Sequence, residues 1–159
     1  IHLNIMAAKT WLFKHAASEE FKQVMTQIVA NSRALAAELT GYGFRVISGG
    51  TDNHIVLLDL RPKKITGKLF QDALEYVGIT INKNMIPSDP EKPSVTSGVR
   101  IGTTSVSQRG LKEPEIKRIA AIMNEVAGAP EDKNVLDACK AEAMRLISAF
   151  PLYPKGPLE

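Results

Sequence analysis

Gly49-Gly50-Thr51-Asp52-Asn53 runs straight into His54-Ile55-Val56-Leu57-Leu58-Asp59-Leu60 (GGTDN–HIVLLDL, residues 49–60). Glycine, aspartate and asparagine together are turn chemistry. The β-branched and apolar run behind them is long enough for a central strand, and Arg61-Pro62 ends it. Upstream, Phe44 to Ser48 predicts a short strand. Downstream, Thr66 caps a helix whose buried face is Leu69, Phe70, Ala73, Leu74 and Val77, and Gly78 closes it. Ile79 to Ile81 and Val99 to Gly102 predict two more short strands, the second with Arg100 as an outward basic residue. Between them, residues 82–98 are rich in Pro, Ser, Asn and Gly and read as one long loop, the kind of segment that often carries function.

Helices flank this centre. Leu3, Met6, Ala7, Trp11, Phe13 and Ala17 fall at roughly helical spacing and predict a helix over 3–16 with a broad apolar face. Ser18 is a good N-cap, and Glu19 and Glu20 suit the positive end of a second helix. Its stripe is Phe21, Val24, Met25, Ile28, Leu35 and Leu39, and Gly41 and Gly43 stop it. Pro114 opens a later helix with Ile116, Ile119, Ala120, Met123 and Val126 inward. A last helix over 132–149 turns Leu136, Cys139, Ala143, Leu146 and Ile147 inward, before an extended Pro-rich tail from Pro151. The fold class expected is α+β, a small sandwich in which helices cover one face of a short, largely antiparallel sheet.

The chain has 159 residues, 44 % of them hydrophobic and 23 % charged, which suits a globular domain with a core of its own. The net charge of +3 is spread along the sequence without a basic run. A nucleic-acid stripe and a polybasic membrane patch are therefore not expected. No apolar stretch approaches a bilayer span. One cysteine excludes an intrachain disulfide and a Cys-based zinc site, and suits a reducing cytoplasm. The chain begins with Ile1 inside what reads as a helix, as a piece of a longer protein would.

Neither a phosphate-binding glycine loop nor a nucleophile elbow is present. His2 and His15 read as surface residues, no histidine has a metal-ligand partner at useful spacing, and Cys139 reads as a core thiol. Asp52-Asn53-His54 crowds polar groups at the mouth of the central strand. It reads either as a site or as an Asx turn in which Asp52 bonds the backbone two residues on. Asn82-Lys83-Asn84 offers two amides and an ammonium to a heterocycle or a carboxylate, or else caps the loop. The sharpest feature is Thr96-Ser97-Gly98-Val99-Arg100. Gly98 permits close backbone approach or an unusual dihedral. Arg100 stands between Val99 and Ile101, and a buried or half-buried arginine there needs an anion, supplied by an internal carboxylate or by a ligand.

Three stretches taken in order, SGGTDNHIVLLDLRPKKITGK (48–68), ITINKNMIPSDPEKPSVTSGVRIGT (79–103) and QRGLKEPEI (108–116), resemble the C-terminal part of serine hydroxymethyltransferase, also called glycine hydroxymethyltransferase. The resemblance covers essentially the whole chain, more loosely over its last thirty or so residues. It implies the small C-terminal domain of a fold-type I pyridoxal-phosphate enzyme. Residues 1–40 would be the helical connection to an absent large domain, and residues 41–159 the α+β small domain. It implies a reaction that interconverts serine plus tetrahydrofolate with glycine plus methylenetetrahydrofolate, in a cytoplasmic homodimer or tetramer.

The resemblance places Arg100 at the carboxylate of the amino acid and Asn84 at the folate. It places Lys92, Pro93 and Ser94 beside the folate, where the family more often has Ser-Pro-Phe. The family's cofactor lysine lies in a Thr-rich segment that this sequence lacks. The chain is therefore expected to contain no catalytic or cofactor-binding residue, to bind no pyridoxal phosphate and to be inactive alone. The alternative is a stand-alone α+β module for amino-acid binding or assembly.

Overall fold

The structure, a computed structural model, describes residues 2–152. Helix α1 (Leu3–Ala16) and helix α2 (Glu19–Gly41) are separated at Ser18. Ser18 takes an extended backbone conformation and its side chain accepts a hydrogen bond from the Phe21 N–H. That cap, with Glu19 and Glu20 in the first turn, starts α2 as expected. Helix α1 buries none of its residues. Its expected apolar face lies open, with Leu3, Trp11 and Phe13 respectively 77 %, 65 % and 70 % exposed. In α2, burial begins only at Ile28 and continues through Leu35, Ala36 and Leu39.

Strand β1 (Arg45–Val46) is shorter than the run from Phe44 to Ser48 predicted, because the chain turns into a 3-10 segment at Ile47–Gly49 with Ser48 at φ 63°. Strand β2 (Ile55–Asp59) is the expected central strand. Helix α3 (Gly67–Val77) has Thr66 as N-cap, accepting from the Leu69 N–H, and Gly78 as its left-handed C-cap.

The strand expected over Ile79–Ile81 is not there. The Ile79 N–H instead closes the end of α3 on Leu74 O, and strand β3 starts at Asn82 (Asn82–Asn84). The first three residues of the expected long loop are thus a sheet edge.

Strand β4 (Gly98–Gly102) follows, then a helix that sequence reasoning missed, α4 (Thr104–Gln108). Its Thr, Ser and Val residues are weak helix formers with too few apolar positions to show a stripe. Helix α5 (Glu113–Gly128) carries Pro114 in its first turn, and helix α6 (Lys133–Ser148) is capped by Asp132. Residues Tyr153 to Pro157 of the expected extended tail lie outside the described residues.

The sheet has the order β1-β2-β4-β3, with every neighbouring pair antiparallel. Side chains alternate across it. Val46, Val56, Leu58, Val99 and Ile101 point to one face and are buried there with Leu39, Phe70, Leu74, Ile116, Met123 and Val126 of the helices. Helix α6 packs on α3 and α5. The expected α+β arrangement, helices covering one face of a small antiparallel sheet, is the one observed.

A buried polar seam ties α2 to the segment after β4. Asn31 Nδ2 donates to Ser107 Oγ and to Leu111 O, each at 2.8 Å, and Asn31 Oδ1 accepts from Gln27 Nε2. Thr103 Oγ1 donates to Ile28 O at 3.0 Å. Most buried polar atoms are paired in this way, the Ser32 hydroxyl on the same helix being one that has no partner among the described residues.

Candidate functional site

The register that buries Val99 and Ile101 sends Arg100 to the uncovered face. Arg100 is exposed, and among the described residues it forms no ion pair. Arg100 is thus the outward basic residue expected on this strand, and not a buried one held by an internal carboxylate. Apolar neighbours in sequence do not bury the residue between them when the strand is covered on one side only. No internal carboxylate among the described residues answers the guanidinium.

Arg100 stands opposite Leu57 on β2 and opposite Asn82 on β3. Gly98 stands opposite Asp59 and Asn84. The uncovered face therefore groups Arg100, Asn82, Asn84 and the buried Asp59 around a glycine. Asn84 is half-buried, and its Nδ2 donates to Met85 O at 2.7 Å. The outer edge of β3 is anchored by α3, where Gln71 Oε1 accepts from the Lys83 N–H at 2.7 Å.

Gly98 is required by close approach. A Cβ there would lie 2.4 Å from Ile86 Cγ2, 2.6 Å from Leu58 O and 2.9 Å from Asn84 O. At Gly67 a Cβ would lie 2.1 Å from Thr96 Oγ1 and 2.4 Å from Gly98 O. The start of α3 thus presses on the loop, and the N–H groups of Gly67 and Lys68 donate to Thr96 O and Val95 O.

The loop from Met85 to Ser97 is organised by Asp89. Its carboxylate accepts the backbone N–H groups of Ile86, Glu91 and Ser97. Burial works to raise the Asp89 pKa, but those bonds prevail and hold it at about 2. Lys92, Pro93 and Ser94 form an exposed turn in which Lys92 O accepts from the Val95 and Thr96 N–H groups. They belong to the same loop as Asp89, beyond Asn84.

Asp59 is the other carboxylate of this face. Arg61 Nε and Nη2 bond it in a fork, the Arg61 N–H donates to Oδ1, and Arg45 Nη1 approaches at 3.2 Å. The hydrogen bond from Arg61 holds its pKa below the ordinary carboxylate range, against burial. Neither Asp59 nor Asp89 was singled out from sequence. The signals were present, as Asp-x-Arg at a strand end and Asp-Pro within a loop.

At Gly49–His54 the structure has an Asx turn, but Asn53 makes it rather than Asp52. Asn53 Oδ1 accepts from the Ile55 N–H at 2.8 Å, while Asp52 is exposed at 3.7 Å from Arg33. His54 contributes its carbonyl, which accepts from the Thr103 N–H. His15 stacks on Trp11 at 5.2 Å. Cys139 is buried, and burial together with Glu125 pushes its thiol up to about 11, away from reactivity.

Two of the cavities among the described residues bear on the site. One, of about 480 Å³, is bordered by Ile47–Asn53, Ile55 and Leu57. The other, of about 380 Å³, lies on the helix side and is mostly apolar, with Arg109, Thr80, Thr103 and Ser105 among its lining. Neither is lined by a lysine. A carbonyl cofactor held covalently needs a lysine amine in a pocket, so these residues do not fit that anchor. Among the described residues there is no cluster of side chains suited to a metal ion, and no helix long and apolar enough to cross a membrane.

The family model for serine hydroxymethyltransferase matches residues 1–123. A serine hydroxymethyltransferase of Myxococcus xanthus (strain DK1622) is 48 % identical over 151 residues, which is 95 % of this chain and 36 % of that relative. The chain thus spans little more than a third of the curated relative it matches. On the extent of the family match and the identity to that relative, the chain belongs to the serine hydroxymethyltransferase family.

Proposed function

We propose that this chain supplies the amino-acid carboxylate contact and part of the folate contact of a serine/glycine hydroxymethyltransferase. The single observation that carries the reading is the unpaired guanidinium of Arg100 on the uncovered sheet face. A planar cationic fork, held by a strand in the middle of a sheet, fits a carboxylate in a bidentate manner. Asn84, one ladder step away beside Gly98, offers an amide that both donates and accepts, as a pterin ring requires. Lys92, Pro93 and Ser94 would border the folate from the exposed turn of the same loop.

In the intact enzyme, pyridoxal phosphate supplies the electron sink for cleavage at the amino acid's α-carbon. Neither of the two cavities described above offers a lysine to anchor it. Arg100 would bind and orient the amino acid, and the loop ordered by Asp89 would hold the folate side of the pocket. On this reading residues 1–40 connect to a cofactor-bearing large domain and residues 41–159 form the small domain. The whole enzyme would be a cytoplasmic homodimer or tetramer, and this chain alone would be inactive.

Arg100→Ala in the full-length enzyme is expected to strip serine affinity, and an unchanged serine dissociation constant would overturn the assignment. Asn84→Ala should weaken tetrahydrofolate while leaving glycine binding nearly intact. Titration of this chain with pyridoxal phosphate, followed by borohydride trapping, should give no stoichiometric adduct. An adduct at one lysine would show that the chain carries an anchor of its own.

A further inference from the structure

The helix-side cavity is not accounted for by that reading. It lies between the segment after α3, the turn from β4 into α4, and helices α5 and α6. Ile101 lines it, and Ile101 points to the covered face while its neighbour Arg100 points to the other. The cavity is therefore separated from Arg100 by the sheet. Its volume of about 380 Å³ falls in the range of roughly 300–1,000 Å³ usual for small-molecule sites. Met123 lies in its floor, and the exposed Met144 and Leu152 stand among its outer residues.

Among the described residues that line the cavity, Arg109 is the only charged one, and there is no acid to neutralise it. Arg109 is half-buried, and its side chain is tethered by Nε donating to Phe150 O at 2.8 Å. Its terminal nitrogens form no ion pair among the described residues. An apolar cleft with one pre-oriented cationic fork selects a molecule with an aliphatic body and a single anionic head. We propose that this cleft is a binding site for a small amphipathic carboxylate, of the medium-chain fatty-acid kind, with its chain among the α5 and α6 side chains and its carboxylate on Arg109.

The test uses this chain with methyl-labelled methionine and sodium octanoate below its micelle concentration, read by NMR. Met123 and Met144 should shift saturably, while Met6, Met25 and Met85 stay in place. Arg109→Gln should weaken octanoate by about tenfold or more and leave 1-octanol unaffected. Ile119→Trp, which fills the cleft, should abolish binding of both. The proposal is overturned if the Met123 methyl shows no saturable shift, or if Met6 on α1 responds instead. It is equally overturned if octanoate binds no better than 1-octanol, or if Arg109→Gln binds octanoate as the parent chain does.

Discussion

Arg100 and Asn82 face each other across the β3–β4 ladder, on the side of the sheet opposite the helices described. Among the described residues no carboxylate pairs with the Arg100 charge, so a structural and a functional role can be told apart. Arg100→Gln should change the stability of this chain by no more than about 0.5 kcal/mol, as for an ordinary surface position. Urea unfolding checks it. A larger loss would mean that the guanidinium has a partner within the chain, and would weaken its assignment to a substrate carboxylate.

Asn31 should be far less tolerant. It is fully buried and donates to both Ser107 Oγ and Leu111 O. Asn31→Leu leaves the Leu111 carbonyl without that donor, at a cost of about 1–3 kcal/mol. Asn31→Asp should cost more than Asn31→Leu, because a carboxylate cannot donate and its charge is buried without a cation. The order of the two urea midpoints is the decisive reading.

Gly98→Ala tests close packing at the site itself. The added methyl meets Ile86 Cγ2, which is a side chain, but also the carbonyl oxygens of Leu58 and Asn84. Overpacking of this kind typically costs about 1–3 kcal/mol. Ile86→Ala combined with Gly98→Ala should recover little of the loss, because the backbone clashes remain. Full recovery in the double variant would show that the backbone yields and that the glycine is not required by approach.

The parts of the fold legible in sequence are those fixed by local chemistry. Ser18 and Thr66 cap helices, Gly78 ends one, and HIVLLDL forms the central strand. The displaced strand has a plain physical cause. In a sheet covered on one side, an edge strand needs few apolar residues, so polar Asn82-Lys83-Asn84 forms the strand while apolar Ile79 and Ile81 serve the end of α3 and the core. The same one-sidedness left Arg100 exposed between two buried neighbours. Arg100 and Asn84 could be named as residue types suited to binding. Their common face arises from strand pairing distant in sequence and had no local signature, whereas the Asp59 and Asp89 clamps bond residues close by in the chain and left short local signals.

Asp89 gives a pH dependence whose sign follows from its pKa. The folded value of about 2 lies below the ordinary 3.8. A carboxyl depressed in this way stabilises the fold fully above its unfolded pKa, and the contribution fades as pH falls toward the folded value. Asp89→Asn cannot match three hydrogen bonds from N–H groups with an anion, so it should be less stable than the parent chain at neutral pH. The gap should then narrow between about pH 4 and about pH 2. Unfolding midpoints across that range check it, and a gap that stays constant would mean Asp89 does not order the loop through its charge.

Helix α1 leads to a prediction about the isolated chain. It exposes Leu3, Trp11, Leu12 and Phe13 and buries nothing, whereas soluble monomers seldom present so many large apolar side chains together. Its charged residues are Lys9 and Lys14, with no acid to break the apolar surface. The chain should therefore self-associate as its concentration rises, through α1 and not through the sheet face. Trp11→Lys combined with Phe13→Lys should return it to a monomer in light scattering while leaving the far-ultraviolet circular dichroism and the urea midpoint almost unchanged, because neither residue packs in the core. A parent chain that stays monomeric at high concentration would show that the exposed face of α1 is not adhesive.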